Sequence, residues 1–451
     1  MSLRTWISDN MGLNHSSSWT KKSSWSADPA TIGQRFYDAS LMLYPATCYA
    51  CERGGVAWVD ELCEIWVEAE GWLYTIGEIK TLGPHDLDDA GPDTARILPA
   101  VVDGVHVDNV LFNSQGLLPA CRLLRHVAGI PASQRTSAMT AFVAAWAEPL
   151  IRDHAHRKSV VAHTITWGGE PWNPIRLTRW QQLVPKPSPP STPNYFDAMV
   201  DSDWMLLQNI VEVRHALAVD PTIYSATSQQ LADLDEGVDA GIALVVDRIV
   251  HTAYGDLYFG NEMATHPDWA YSGVGGHVNP FGSPAAESSC GWDTSHYHRI
   301  PQMLRAIYDA RIVLGLDWPT DLDLKAAADY YATVPFNGNY EWPQFANYAN
   351  GIDGWYRVDA TSGYPPSGYQ NANGNDNTRS LFVGSVWGWG RLAPFSSKLA
   401  AVLEAFMDLA NATWEGHASR VAYYNAQPFR AHVYPVALFA LAAAWPERAS
   451  A

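Results

Sequence analysis

Positive charge is scarce in this chain of 451 residues: 29 Lys and Arg stand against 47 Asp and Glu, a formal net charge of −18. Phosphate backbones are held by clustered Lys and Arg, so a nucleic-acid partner is not expected, and neither is an anionic membrane surface. A local Arg/His site for an anionic substrate stays compatible with that balance. Cysteine is scarce too, with Cys48, Cys51, Cys63, Cys121 and Cys290 scattered along the chain. Five is an odd number, so no complete disulfide framework is expected. Cys48-Tyr49-Ala50-Cys51 has the CxxC spacing, but no second pair or His cluster completes a zinc site, and a buried helix explains it. No run approaches 18 apolar residues, which removes a membrane-spanning helix from the expectations. No secretory leader is legible in residues 1–10, and the location stays open. Nucleotide fingerprints, a P-loop and a Gly-x-Ser-x-Gly elbow are all missing. Neither a cofactor nor a metal is expected.

What the chain has is apolar bulk and aromatic rings. Hydrophobic residues make up 47% and charged ones 17% of it, enough for a large core and too few charges for disorder. Twenty Trp and 21 Tyr can fill cores or stack on sugar rings.

Periodicity near 3.6 predicts helices in pairs: residues 31–52 with 56–78, 115–128 with 133–154, 200–218 with 228–251, and 297–315 with 320–334. Further helices are expected over 341–354, 378–390, 395–413, 417–425 and 431–446. Gly54-Gly55, Pro131, Asp220-Pro221 and Asp317-Trp318-Pro319 punctuate the pairs, and Ser228 is the expected N-cap of its helix. Strand signals are sparse, and the best candidate is 160–167, with a merely extended segment as the alternative. Long Gly-, Asn- and Pro-rich loops run over 82–110, 166–194, 254–291 and 359–377, and loops of that length in a packed domain usually carry function. Roughly twelve paired helices predict an all-α (α/α)6 toroid over 28–451, with loops building a cleft at one end and residues 1–27 as a polar lead-in.

The densest chemistry lies in Gly291-Trp292-Asp293-Thr294-Ser295-His296-Tyr297-His298-Arg299-Ile300-Pro301, just ahead of an apolar helical run. Residues three apart share a helix face, so His296 and Arg299 could point together. Imidazole exchanges protons near neutrality, guanidinium grips a carboxylate with two hydrogen bonds, and a phenol can protonate a leaving oxygen. Asp293 could orient an imidazole. The alternative is that Asp293 and Ser295 cap the helix while the imidazoles, His298 included, cover a loop. Asn113 and Gln115 are neutral amides near another helix start; they could stabilise an enolate-like charge or simply bond the loop. His106 and Asp108 lie nearby. Glu262, Asp268 and Glu287, with Asp293, are candidate carboxylate partners for glycoside hydrolysis, and His163, His266 and His277 lie in or beside the same loops. Trp292, Trp342, Trp387, Trp389 and Tyr369, with Tyr340 and Trp355, are candidate sugar platforms. Asp86-Leu87-Asp88-Asp89 has the DxDD form of a terpene-cyclase acid but sits in a polar loop, and 371–377 is dense in the oxygen ligands calcium takes but lacks the EF-hand spacing, so a simple turn accounts for it.

Two of these stretches carry a resemblance. Phe112-Asn113-Ser114-Gln115-Gly116 resembles an Asn-x-Gln element opening a hairpin, and Trp292-Asp293-Thr294-Ser295-His296 resembles a Trp-x-Asp-x-Ser-His element before a later helix, in the six-hairpin glycosidase-like superfamily. That resemblance implies a carbohydrate substrate and a toroid. The superfamily hosts lyases and hydrolases, so it does not select the reaction. The expected activity is a lyase cleaving a uronate-containing glycan by β-elimination. A paired-carboxylate glycoside hydrolase and a non-catalytic glycan-binding protein are the alternatives.

Overall fold

A computed structural model describes residues 32–87, 92–102, 104–161, 165–167, 170–172, 176–186, 199–260, 291–340, 345–352 and 388–411. They are mostly helical, with short strands between the helices. Ten of the helices among the described residues set the frame: α1 Ile32–Tyr49, α2 Gly55–Ala69, α3 Val110–Ala128, α4 Ser137–Glu148, α5 Asp201–Val219, α6 Ser228–Asp247, α7 Thr294–Tyr297, α8 Arg299–Leu314, α9 Asp321–Tyr331 and α10 Ser397–Asn411. None of the described helices is long and apolar enough to cross a membrane. The chain divides into two compact units. The first comprises Met1–Gln182, Asp201–Ala243 and Ala306–Trp318, and the second Leu183–Val200, Leu244–Arg305 and Pro319–Ala451.

In the first unit α3 packs along both α1 and α5, while α2 packs on α4. The α1–α3 approach is close because Gly116 has no side chain: a Cβ there would lie 3.0 Å from that of Phe36. Asn109 caps α3 by accepting from the Phe112 amide at 3.1 Å, and Arg125 and His126 in its last turn complement the helix dipole. The π segments Ala50–Gly54 and Pro149–His156 follow α1 and α4. Pro149 opens the second of them, and a residue without an N–H cannot make the i→i−4 bond that keeps an α register. The core is strongly aromatic; Trp66 and Trp146 meet edge to face at 5.0 Å, and the Trp146 indole donates to the Trp66 carbonyl at 2.5 Å.

In the second unit α9 packs on the hairpin Ile249–Thr252/Gly255–Tyr258 and on the 3-10 turn Gly390–Phe395, which leads into α10. Tyr331 and Trp389 stack at 4.0 Å with an interplanar angle of 4°. Tyr297 leans on both, at 6.4 Å and 5.6 Å.

Three expectations need correction. Residues 345–352 are turns and bridges, not a helix. The cap of α6 is Thr227, not Ser228: its hydroxyl accepts from the Gln230 amide while the Gln230 side chain accepts from the Thr227 amide, a reciprocal box. Residues 249–251, expected at the end of a helix, form a strand, as suits the β-branched Ile249, Val250 and Thr252 ahead of a turn. The helices expected over 417–425 and 431–446 and the leading segment 1–27 lie outside the described residues.

Candidate active site

α7 begins where the sequence places an acid followed three residues later by an imidazole. Asp293 is the N-cap, and one carboxylate oxygen accepts from the His296 amide at 3.1 Å. The other lies 2.7 Å from His296 Nδ1. One turn of helix thus sets backbone and side chain of the same residue against the same carboxylate. The Asp293 side chain is 5% exposed and the imidazole 16%. A carboxylate only accepts, so the Nδ1 nitrogen carries the proton, and the lone pair of the neutral ring belongs to Nε2.

The pair is held from three sides. Residues 346–349 run antiparallel to 292–294: Asp293 bridges Tyr348, the Thr294 amide donates to the Asn347 carbonyl at 2.9 Å, and the Ala349 amide donates to the Trp292 carbonyl at 2.8 Å. Below them Tyr297 is fully buried, and its hydroxyl accepts from the Tyr258 amide at 3.0 Å. Gly388 lies so close to the turn that a Cβ would fall 1.7 Å from the His298 carbonyl oxygen. No side chain larger than hydrogen fits there.

The remaining candidates separate by burial. Burial pushes the Tyr297 phenol well above its ordinary pKa, and its hydrogen bond to Tyr258 counters only part of that. His298, Arg299 and Trp292 are buried around the turn, and Arg299 opens α8. Trp389 is inside the aromatic stack, where a sugar ring has no access. Trp342, Trp355, Trp387, Tyr369, His163, Glu262, His266, Asp268, His277, Glu287 and the segment 371–377 lie outside the described residues. Asp86 sits in a two-residue strand, and Leu87 is packed among Ile76, Ile79 and Ile97.

Asn113 and Gln115 belong to the first unit, and both bond backbone. The Asn113 amide accepts from the Leu98 amide and donates to its carbonyl, each at 3.0 Å, and Gln115 donates to the Tyr37 carbonyl at 2.9 Å. They tie a loop and α1 to α3. Cys48 and Cys51 are thiols and not a disulfide, and burial drives the Cys51 pKa far up, which opposes thiolate chemistry. Among the described residues no group of His, Cys, Asp and Glu is arranged to hold a metal ion.

The first unit also buries an ionic interior that motif reading passes over. Arg157 and Lys158 both close on Asp108. Burial alone would raise that carboxyl, but the two cations outweigh it and hold the pKa well below the usual range. Asp203 is gripped by Arg176 and Arg179, with the Trp180 indole at 3.2 Å. His154 accepts at Nε2 from Asn209 at 2.9 Å, and burial, aided by Lys158, pushes its pKa down to about 3. A signal for this interior exists: Gln208, Asn209, Glu212 and His215 are polar positions in the stretch 204–217 of α5, which apart from them and Arg214 is apolar.

Comparison of the chain with family models, with curated proteins and with solved structures finds no match.

Proposed function

We propose that the chain is a carbohydrate-active enzyme that cleaves a uronate-containing glycan by β-elimination, on helices arranged as an (α/α)6 toroid. The observation that carries this reading is the Asp293–His296 pair: a partly exposed imidazole at a helix start, its Nδ1 fixed by a buried carboxylate at 2.7 Å. His296 Nε2 takes the C5 proton next to the uronate carboxylate. The resulting charge spreads into that carboxylate, the C4–O bond breaks with its electron pair leaving on oxygen, and a C4=C5 double bond forms. Asp293 stabilises the imidazolium made in the first step, and that imidazolium returns its proton to the departing oxygen. Arg299, three residues beyond His296, is the residue to balance the substrate carboxylate.

The burial of Tyr297 argues for removing it from the acid role, and the backbone bonds of Asn113 and Gln115 give those amides to the fold. The paired-carboxylate hydrolase gains nothing from Asp293, since both its oxygens are engaged by His296.

The experiment incubates the protein with uronate and neutral glycans, following the ultraviolet absorbance of a conjugated 4,5-unsaturated uronate alongside reducing ends. Both signals should rise together and both should vanish in His296→Ala with glycan binding retained. Reducing ends rising alone would overturn the elimination. A His296→Ala protein with undiminished turnover would remove the residue from the chemistry.

A further inference from the structure

Of the rings that the sequence offers as sugar platforms, Trp292 and Trp389 are buried, whereas Tyr340 is 51% exposed. The turn that presents it is tightly made. The Asn337 side chain accepts from the Asn339 amide at 3.0 Å, and Gly338 takes a φ of 72°, a left-handed backbone that favours glycine. The Tyr340 ring meets Phe336 edge to face, with centroids 5.3 Å apart and an interplanar angle of 66°. A contact of that kind leaves at least one face of the Tyr340 ring uncovered by Phe336.

Phe336 ties this turn to the His296 site. It bridges Phe345 in an antiparallel pair, and the Ala346 amide donates to the Pro335 carbonyl at 2.7 Å. The two Phe rings lie 5.8 Å apart, and Phe345 stacks on Tyr331 at 4.6 Å. The aromatic stack beside His296 therefore runs on from Tyr297, Trp389 and Tyr331, through Phe345 and Phe336, to Tyr340. The backbone makes the same connection, because the residues that follow Phe345 are those that pair with 292–294. One end of the run of rings adjoins the imidazole, and the other end is open at the surface. A ring backed by packed rings has little freedom left to lose on binding, which suits it to be a contact surface.

We propose that Tyr340 is a stacking platform for a sugar residue of the same glycan that His296 cleaves, at a distance from the bond that breaks. The C–H face of the sugar lies on the open face of the ring, and the phenol hydroxyl at its rim exchanges hydrogen bonds with a sugar hydroxyl. The proposal rests on the carbohydrate reading of the His296 site. It concerns chain length and not the reaction: a glycan long enough to reach Tyr340 gains affinity from it.

The test titrates galacturonate and mannuronate hexamers, with xylose and glucose hexamers beside them, into the whole chain carrying His296→Ala, by calorimetry. At least one hexamer should bind. Adding Tyr340→Ala should weaken it about three- to tenfold, and Tyr340→Trp should keep it. Tyr254→Ala removes another exposed ring, at the tip of the hairpin and outside the stack, and should change nothing. With His296 intact, Tyr340→Ala should raise KM for the hexamer by the same factor and leave kcat within about twofold. Its melting temperature should match the parent, since the side chain is exposed. Absence of hexamer binding at millimolar concentration, equal binding with and without the Tyr340 ring, or an equal loss in Tyr254→Ala overturns the platform. Unsaturated product from a protein indifferent to Tyr340→Ala removes the platform and leaves the elimination standing. Hexamer binding that depends on Tyr340, with no product formed, supports the platform and removes the elimination.

Discussion

His154 in the first unit and His296 in the second each meet a neighbouring side chain through one ring nitrogen, and the two partners differ in kind. The partner of His154 is a neutral amide, Asn209, in a fully enclosed place beside Lys158 and Arg157. Adding a proton there would put a third cation among two, so the ring stays neutral. The partner of His296 is a carboxylate, and part of the ring reaches the surface. That carboxylate lies 2.7 Å from Nδ1. The same contrast holds for the acids. Asp108 is held by two cations and serves the fold, while Asp293 meets the His296 ring and sets its direction. What decides the use of a charged side chain is whether its partner can change protonation state and whether solvent or substrate can reach it.

One substitution in both places gives the sharpest contrast. Asp108→Asn removes the carboxylate from between two buried cations and should cost about 3–5 kcal/mol of stability, read as a fall in the urea midpoint. Asp293→Asn keeps a side chain able to cap α7 and should cost under about 1 kcal/mol. It should still lower kcat by about 10³-fold or more, because an amide no longer dictates the tautomer of His296. Equal losses of stability at the two positions would erase the distinction between the units. His296→Gln should follow Asp293→Asn, with kcat down about 10²- to 10⁴-fold and a melting temperature within a few degrees of the parent.

Acid tests the buried side of the comparison. The unfolded imidazole titrates near 6.5, whereas His154 in the fold titrates at about 3. Between those values the unfolded chain binds the extra proton and the native chain does not. Stability therefore falls as pH drops from about 6.5 toward 3, and at pH 5 the loss from this residue is about 2 kcal/mol. His215, pushed down to about 3 by burial and by Arg125 and Arg122, acts in the same direction. A His154→Gln protein should show a shallower decline of melting temperature between pH 7 and 5 than the parent. Parallel curves would mean that His154 is not kept neutral by the fold.

The Asp293–His296 relation is legible in the amino-acid order, because the three-residue spacing of a cap fixes which groups meet. The helices themselves are legible from periodicity, and α3, α5, α8 and α9 lie close to their expected places. Periodicity does not report what a helix buries. The pattern of α5 announces a helix, but the pairing of Asp203 with Arg176 and Arg179, or of Glu212 with Arg125, depends on residues distant in sequence. The two π segments escape for a different reason: they keep the composition of a helix and change only its hydrogen-bond register. Residues 345–352 read as a helix through their apolar content, yet pairing with residues 292–294 claims their backbone instead.

Tyr297 offers the smallest effect and separates position from chemistry within the second unit. Its hydroxyl lies one residue from His296 in sequence, and a phenol there could serve as the acid of an elimination. The structure turns that hydroxyl inward to the Tyr258 amide, at the end of a hairpin packed on α9. Tyr297→Phe removes the acceptor and leaves a buried N–H unsatisfied, while the ring stack with Tyr331 and Trp389 survives. The expected cost is about 1–2 kcal/mol in stability. The turnover number should stay within about twofold of the parent, since a group that does not meet substrate takes no part in proton transfer. A loss of 10²-fold or more in kcat with the melting temperature unchanged would return Tyr297 to the chemistry, and His296 would then share proton transfer with a phenol that burial holds well above its ordinary pKa.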